Sequence, residues 1–206
     1  MRIPAWEINY LEAVLAIGLM ACGYITYYFF THSAKILQDY QNRFGNEKGA
    51  RLFIWIGRYL GGLLIGVLPF LLLISATEKE AHDYGFGFSN SLLSVYWVLG
   101  LSSLILPITF FSARKKEAWQ EYPQVRTRLW TIPLVLHNTF TWVFYLFGYE
   151  LMFRGILLFA TIELMGEWPA IILNTAFYAL VHMPKSRKET IGAIPFGIVL
   201  CLITLN

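Results

Sequence analysis

Apolar residues run almost unbroken from about Ile8 to Thr31, from Leu52 to Thr77 and from Ser91 to Ser112, with polar stretches between. A helix needs about 20 apolar residues to cross a bilayer, so each run predicts a transmembrane helix. Tyr24, Tyr27 and Tyr28 lie near the end of the first, where aromatic side chains anchor a helix at the interface. That run is too long for the apolar core of a signal peptide, and no small-residue cleavage pattern follows it. It reads as a retained helix. In the second run Arg58 lies close enough to the start to snorkel toward headgroups. Gly57, Gly61, Gly62 and Gly66 are spaced for close helix packing, and Pro69 predicts a kink that neighbouring helices can accommodate.

The pattern loosens after residue 112. A fourth helix is expected from near Leu129 to Phe147, then Gly148 and a segment with Glu150 and Arg154 that fades near Met165. Gly166-Glu167-Trp168-Pro169 reads as a turn, with Pro169 suited to a first helical position. Another apolar segment ends at His182, before Met183-Pro184, and a last one spans Ile191 to Leu205. That last segment is short for a crossing and has no polar tail, which reads as a longer protein cut short.

Charge orients these elements. Lys35, Arg43, Lys48 and Arg51 follow the first helix, and Arg114, Lys115, Lys116, Arg126 and Arg128 follow the third. Lys79 is the lone Lys or Arg between Glu78 and Asn90. Positive residues gather on the cytoplasmic side, so the first and third loops are inside and the N-terminus outside. The cluster Lys185, Arg187 and Lys188 falls inside only if residues 129–165 make one kinked crossing, which is the favoured count. The expected fold is an all-α, polytopic transmembrane helix bundle of six or seven helices. Residues 1–128 carry the N-terminal helices and basic loops; 129–206 complete the same membrane domain.

Composition narrows the function classes. The chain is 57% hydrophobic and 14% charged, where a soluble domain carries roughly 25% charge. Its net charge of +3 comes from loops, and no basic stripe interleaved with aromatics points to nucleic acid. Cys22 and Cys201 lie in apolar segments without CxxC spacing and read as small core residues. There is no HExxH, and His32 and His82 sit near membrane surfaces, so neither a metal nor another cofactor is expected. The basic loops set topology and can touch anionic headgroups.

Candidate chemistry lies in the C-terminal part. Glu150 and Arg154 share a helix face at i and i+4. An ionisable residue at membrane depth costs about 2.5–3.5 kcal/mol on insertion scales, so it is placed only against protein or a wet cavity. Two readings stand side by side: a buried ion pair that fixes packing, and a functional site. Asn174, Tyr178 and His182 are spaced i, i+4, i+8 and drift along one face of a later helix. If Glu150 and His182 share a water, the carboxylate can take its proton while the imidazole orients it. Asn174 and Tyr178 read as packing and hydrogen-bonding residues. His137 and Asn138, also polar in an apolar helix, read first as interhelical hydrogen-bonding groups and second as donors to the same cavity.

The stretch Glu150-Leu-Met-Phe-Arg154-Gly155 resembles the first motif, Glu-Glu-x-x-x-Arg, of the CAAX-protease and bacteriocin-processing (CPBP, or abortive-infection) membrane proteins. Phe177-Tyr178-Ala-Leu-Val-His182 resembles the second, and Pro195-Phe196-Gly197-Ile198-Val199-Leu200 the glycine-bearing segment before the third. The resemblance covers roughly Trp130 to the C-terminus. It implies a metal-independent intramembrane glutamate endopeptidase of a bacterial cytoplasmic membrane, with a peptide or membrane-protein substrate and the bilayer as partners. Glu150 would be the base, His182 would orient water, Arg154 would hold Glu150, and Tyr149, Tyr178 and Asn174 would support them. Two positions depart from the family. Tyr149 stands where the first glutamate is usual, and no His-x-x-x-Asn follows His182 to stabilise an oxyanion. Both departures favour an alternative, a non-catalytic immunity or partner-binding protein on the same scaffold. Oligomeric state is not legible in the sequence.

Overall fold

A computed structural model describes residues 10–87, 91–116 and 118–206, without the side chains of residues 120 and 121. The expected helix start at Ile8 and the loop end at Asn90 lie outside the described residues. All regular structure within them is helical: α1 (Tyr10–Thr31), α2 (Ala34–Phe44), α3 (Asn46–Gly61), α4 (Leu68–Ala76), α5 (Ser91–Ala113), α6 (Ala118–Glu121), α7 (Ile132–Glu150), α8 (Leu158–Met165), α9 (Glu167–Leu180) and α10 (Arg187–Thr204). Two π-helical stretches, Gly62–Val67 and Leu151–Leu157, join α3 to α4 and α7 to α8. Four continuous helices are long and apolar enough to cross a bilayer: Tyr10–Thr31, Asn46–Ala76, Ser91–Ala113 and Ile132–Met165. The chain is therefore a helical membrane protein, and residues 132–165 form one helix, as the favoured count requires.

The polar stretch after α1 differs from the expected loop. Ile36, Leu37 and Tyr40 lie on one face of a short amphipathic helix, and α3 begins at Asn46 rather than near Leu52. Apolar residues at helical spacing are enough to order a segment whose mean composition is polar. Gly45, at φ 84°, separates α2 from α3 in a conformation that suits glycine. The π-helical stretch before α4 immediately precedes Pro69, which has no N–H to return to the carbonyl four residues back.

Packing divides the chain into two compact units. The first takes residues up to Ser33, Ile56–Phe86 and Phe140–Asn206. Its helices meet through glycine: a Cβ built on Gly23 would stand 2.2 Å from the Leu64 carbonyl oxygen. Ile65, Leu73, Met152, Phe153, Ile156 and Leu157 form the dry centre. Arg58 does not snorkel. It is 4% exposed, donates to Thr141 Oγ1 at 3.0 Å and stacks its guanidinium 4.4 Å from the Trp142 ring centre. A polar neighbour and a π face replace the headgroups it would otherwise seek. At one end of this unit Lys79 pairs with Glu12 at 3.0 Å and also with Glu163. The start of α1, the segment after α4 and the end of α8 therefore lie together, as a single 132–165 crossing demands.

The second unit takes Ala34–Trp55 and Gly87–Thr139. Gly49 packs against the Tyr40–Gln41 backbone, and Thr127 donates to Glu47. Trp55 lies under Arg51 and 4.2 Å from the His137 ring, and its indole N–H reaches Asn138 Oδ1 at 3.5 Å. His137 and Asn138 are thus interhelical contacts of this unit.

Candidate functional site

The site belongs to the first unit and is built from the junction of α7 with its π-helical continuation, the C-terminal end of α9, and α10. Gly148 lets α7 approach the Gly62–Gly66 turn to backbone contact, which sets the depth of the residues after it. All seven residues of Leu151–Leu157 are buried, Arg154 among them. A π-helical turn inside an α-helix often coincides with a functional site, because it displaces side chains from regular register.

Glu150 and Arg154 pair as the i, i+4 spacing predicts, with Arg154 Nε 3.3 Å from Glu150 Oε2. The two partners differ in access: the Arg154 side chain is 10% exposed and that of Glu150 40%. Arg154 is held from the far side by α9 and α10. Its Nη1 donates to Asn174 Oδ1 at 2.7 Å and to Cys201 Sγ at 3.4 Å, and its guanidinium lies 4.5 Å from the Tyr178 ring centre. Asn174, fully buried, turns its amide N–H to the Phe153 carbonyl. One side chain thereby serves a buried cation and a backbone carbonyl of the adjacent π turn, where either would be costly to leave alone.

His182 lies just past the end of α9. Its Nδ1 is 2.7 Å from the Tyr178 carbonyl oxygen and 3.3 Å from the Tyr149 hydroxyl. The group that reaches the imidazole from the first motif is thus the Tyr149 phenol, while the Glu150 carboxylate is turned to Arg154. Successive helical residues point about 100° apart, so Tyr149 meets the imidazole directly while Glu150 is directed to Arg154. Tyr149, Phe153, Tyr178 and His182 form a continuous ring cluster, with Tyr149 tilted 47° to Phe153 at 4.8 Å and edge-on to His182 at 83°. Tyr24 of α1 donates to the Val181 carbonyl at 3.3 Å and so ties off the frayed end of α9.

The six residues that the family resemblance names, Tyr149, Glu150, Arg154, Asn174, Tyr178 and His182, lie at this junction, and His137 and Asn138 belong to the other unit. Two that the resemblance does not name also take part: Cys201, read as a small core residue, and Tyr24, read as an interfacial anchor. Cys201 stands four residues after Gly197, whose missing side chain lets α10 close on Thr175 and Tyr178, so both share the α9-facing side. Among the described residues no group of three His, Cys, Asp or Glu side chains is placed to hold a metal ion.

Residues 128–206 match a family described as type II CAAX prenyl endopeptidase Rce1-like. The match falls on the stretch that carries both motifs. No curated protein and no solved structure matches the chain.

Proposed function

We propose that the chain is a CAAX-protease-like intramembrane endopeptidase in which Glu150 and His182 activate a water for attack on a peptide carbonyl, without a metal ion. The observation that supports this most is the meeting of the two motif helices. Tyr149 with His182 and Arg154 with Asn174 tie them together, and Glu150 is the more open partner of its ion pair with Arg154. Arg154 holds one carboxylate oxygen of Glu150, leaving the other to take the proton of water. His182 orients the water, and the proton that Glu150 has taken passes on to the departing amine. Tyr178 and Asn174 hold the wall and the arginine. The family description, a CAAX prenyl endopeptidase, favours a prenylated CAAX peptide as the proposed substrate, with a membrane protein as the other candidate, and the proposed location is a bacterial cytoplasmic membrane.

The test is cleavage of a farnesylated CAAX reporter peptide by the purified protein in proteoliposomes. Glu150→Gln should abolish cleavage while leaving the thermal transition nearly unchanged. Cleavage that survives this substitution overturns the mechanism.

A second reading, a non-catalytic immunity or partner-binding protein on the same scaffold, is favoured by one observation: the phenol of Tyr149 sits on His182 where the family motif usually carries an acid. A membrane-protein partner that co-purifies undiminished with the Glu150→Gln, His182→Ala double variant, in a protein that cleaves nothing, would favour it.

A further inference from the structure

We infer that Tyr149 is a positioning residue for His182: its hydroxyl and the Tyr178 carbonyl together hold the imidazole with its proton on Nδ1, so that Nε2 is the lone-pair nitrogen offered to the reacting water. The inference rests on the peptidase reading for what the nitrogen acts on, but the geometry stands apart from turnover. A carbonyl oxygen can only accept. Its 2.7 Å contact with Nδ1 therefore requires the proton on that nitrogen. With Nδ1 a donor, the Tyr149 oxygen at 3.3 Å is a second acceptor for the same N–H and keeps its own proton.

Tyr149 is suited to this by its rigidity. It is 6% exposed and clamped by the rings of Tyr145 at 5.9 Å, Phe153 at 4.8 Å and Tyr178 at 5.6 Å, so its oxygen has little freedom to leave the imidazole. Two acceptors on different helices, α7 and α9, fix the ring's direction as well as its tautomer. The charges that bear on His182 are those of Lys185 and Arg154, both positive, and the two phenols beside it are Tyr149 and Tyr178. A carboxylate at position 149 would add a negative charge and favour imidazolium; a phenol adds an acceptor and no charge. His182 thus stays neutral, with Nε2 open to orient the water, over a wider acid range than an acid-paired histidine.

The experiment is 15N NMR of the full chain, labelled at histidine and reconstituted in proteoliposomes. The sequence holds 4 histidines, and the His182 signals are assigned by their loss in His182→Gln. Wild type should show a protonated Nδ1 and a bare Nε2. Tyr149→Phe should bring in the other tautomer or broaden both signals, and Tyr149→Glu should move the His182 titration upward by about 1 unit or more, as an adjacent opposite charge does. In the cleavage assay Tyr149→Phe should lower kcat about tenfold at nearly constant KM, the mark of a group that acts on the chemical step. A bare Nδ1 in wild type, or a Tyr149→Phe protein whose tautomer and titration match wild type, overturns the assignment. A wild-type protein with the expected spectra and no cleavage overturns the peptidase reading and leaves the positioning intact.

Discussion

Gly66 and Gly148 meet backbone to backbone: a Cβ built on Gly66 would stand 2.2 Å from the Gly148 carbonyl oxygen, and one on Gly148 would stand 2.4 Å from that of Gly62. The obstacle in both cases is main chain, which cannot swing aside as a side chain can. The contact places the end of α7, and with it Tyr149 and Glu150, at a set depth.

Gly148→Ala should therefore destabilise the protein by about 3 kcal/mol, the upper part of the range for overpacking, and lower activity with it. Gly18→Ala is the control. Nothing lies within 4 Å of its Cβ position, and replacing a mid-helix glycine should be neutral or stabilise by roughly 0.5–1 kcal/mol. Thermal unfolding of the two variants in one detergent reads the difference directly.

Asn174→Ala removes the acceptor of Arg154 Nη1 and the donor to the Phe153 carbonyl at once. Groups buried without partners cost about 1–3 kcal/mol each, so a loss of roughly 3 kcal/mol is expected. Cys201→Ser keeps an acceptor for the guanidinium and should fall within about 1 kcal/mol of wild type. Chemical denaturation of both variants gives the comparison; equal losses would mean that Asn174 is not the principal anchor.

Thr141→Val takes a hydrogen-bond acceptor from Arg58 in a buried setting, with an expected cost of about 2 kcal/mol. Replacing both partners, Arg58→Met with Thr141→Val, should recover most of that loss, since an apolar pair has no desolvation to offset. A double-mutant cycle on thermal stability measures the coupling, and strictly additive losses would show that the two residues act independently.

Lys79 gives the alkaline side of the stability curve. Burial pulls its ammonium down, but Glu163 and Glu12 outweigh this and hold it above the ordinary 10.5. A group whose folded-state value is raised contributes stability that is complete below its unfolded value and is lost as pH rises through the folded one. The melting temperature of wild type should therefore exceed that of Lys79→Met below 10.5 and converge on it above that value. Because the Glu163 side chain is 63% exposed, added salt should narrow the gap.

The course of the apolar runs, the glycine spacing in the second helix and the acid, base and imidazole of the two motifs were all legible in the sequence, because each is a matter of local composition and period. The amphipathic helix α2 was legible too, in Ile36, Leu37 and Tyr40, but its polar average hid it. Tertiary structure decided the rest. Whether Tyr149 or Glu150 faces His182 depends on the rotation of α7 about its axis, and that is set where Gly148 seats on Gly62 and Gly66. Whether Arg58 snorkels or stays depends on Thr141 and Trp142 in another helix. Arg154, Asn174 and Cys201 meet across 20 and 47 residues of chain, and only the packing of α9 and α10 on the π turn brings them together. A sequence period determines which residues share a face; which neighbour that face meets is settled by close packing among helices, and there the site is made.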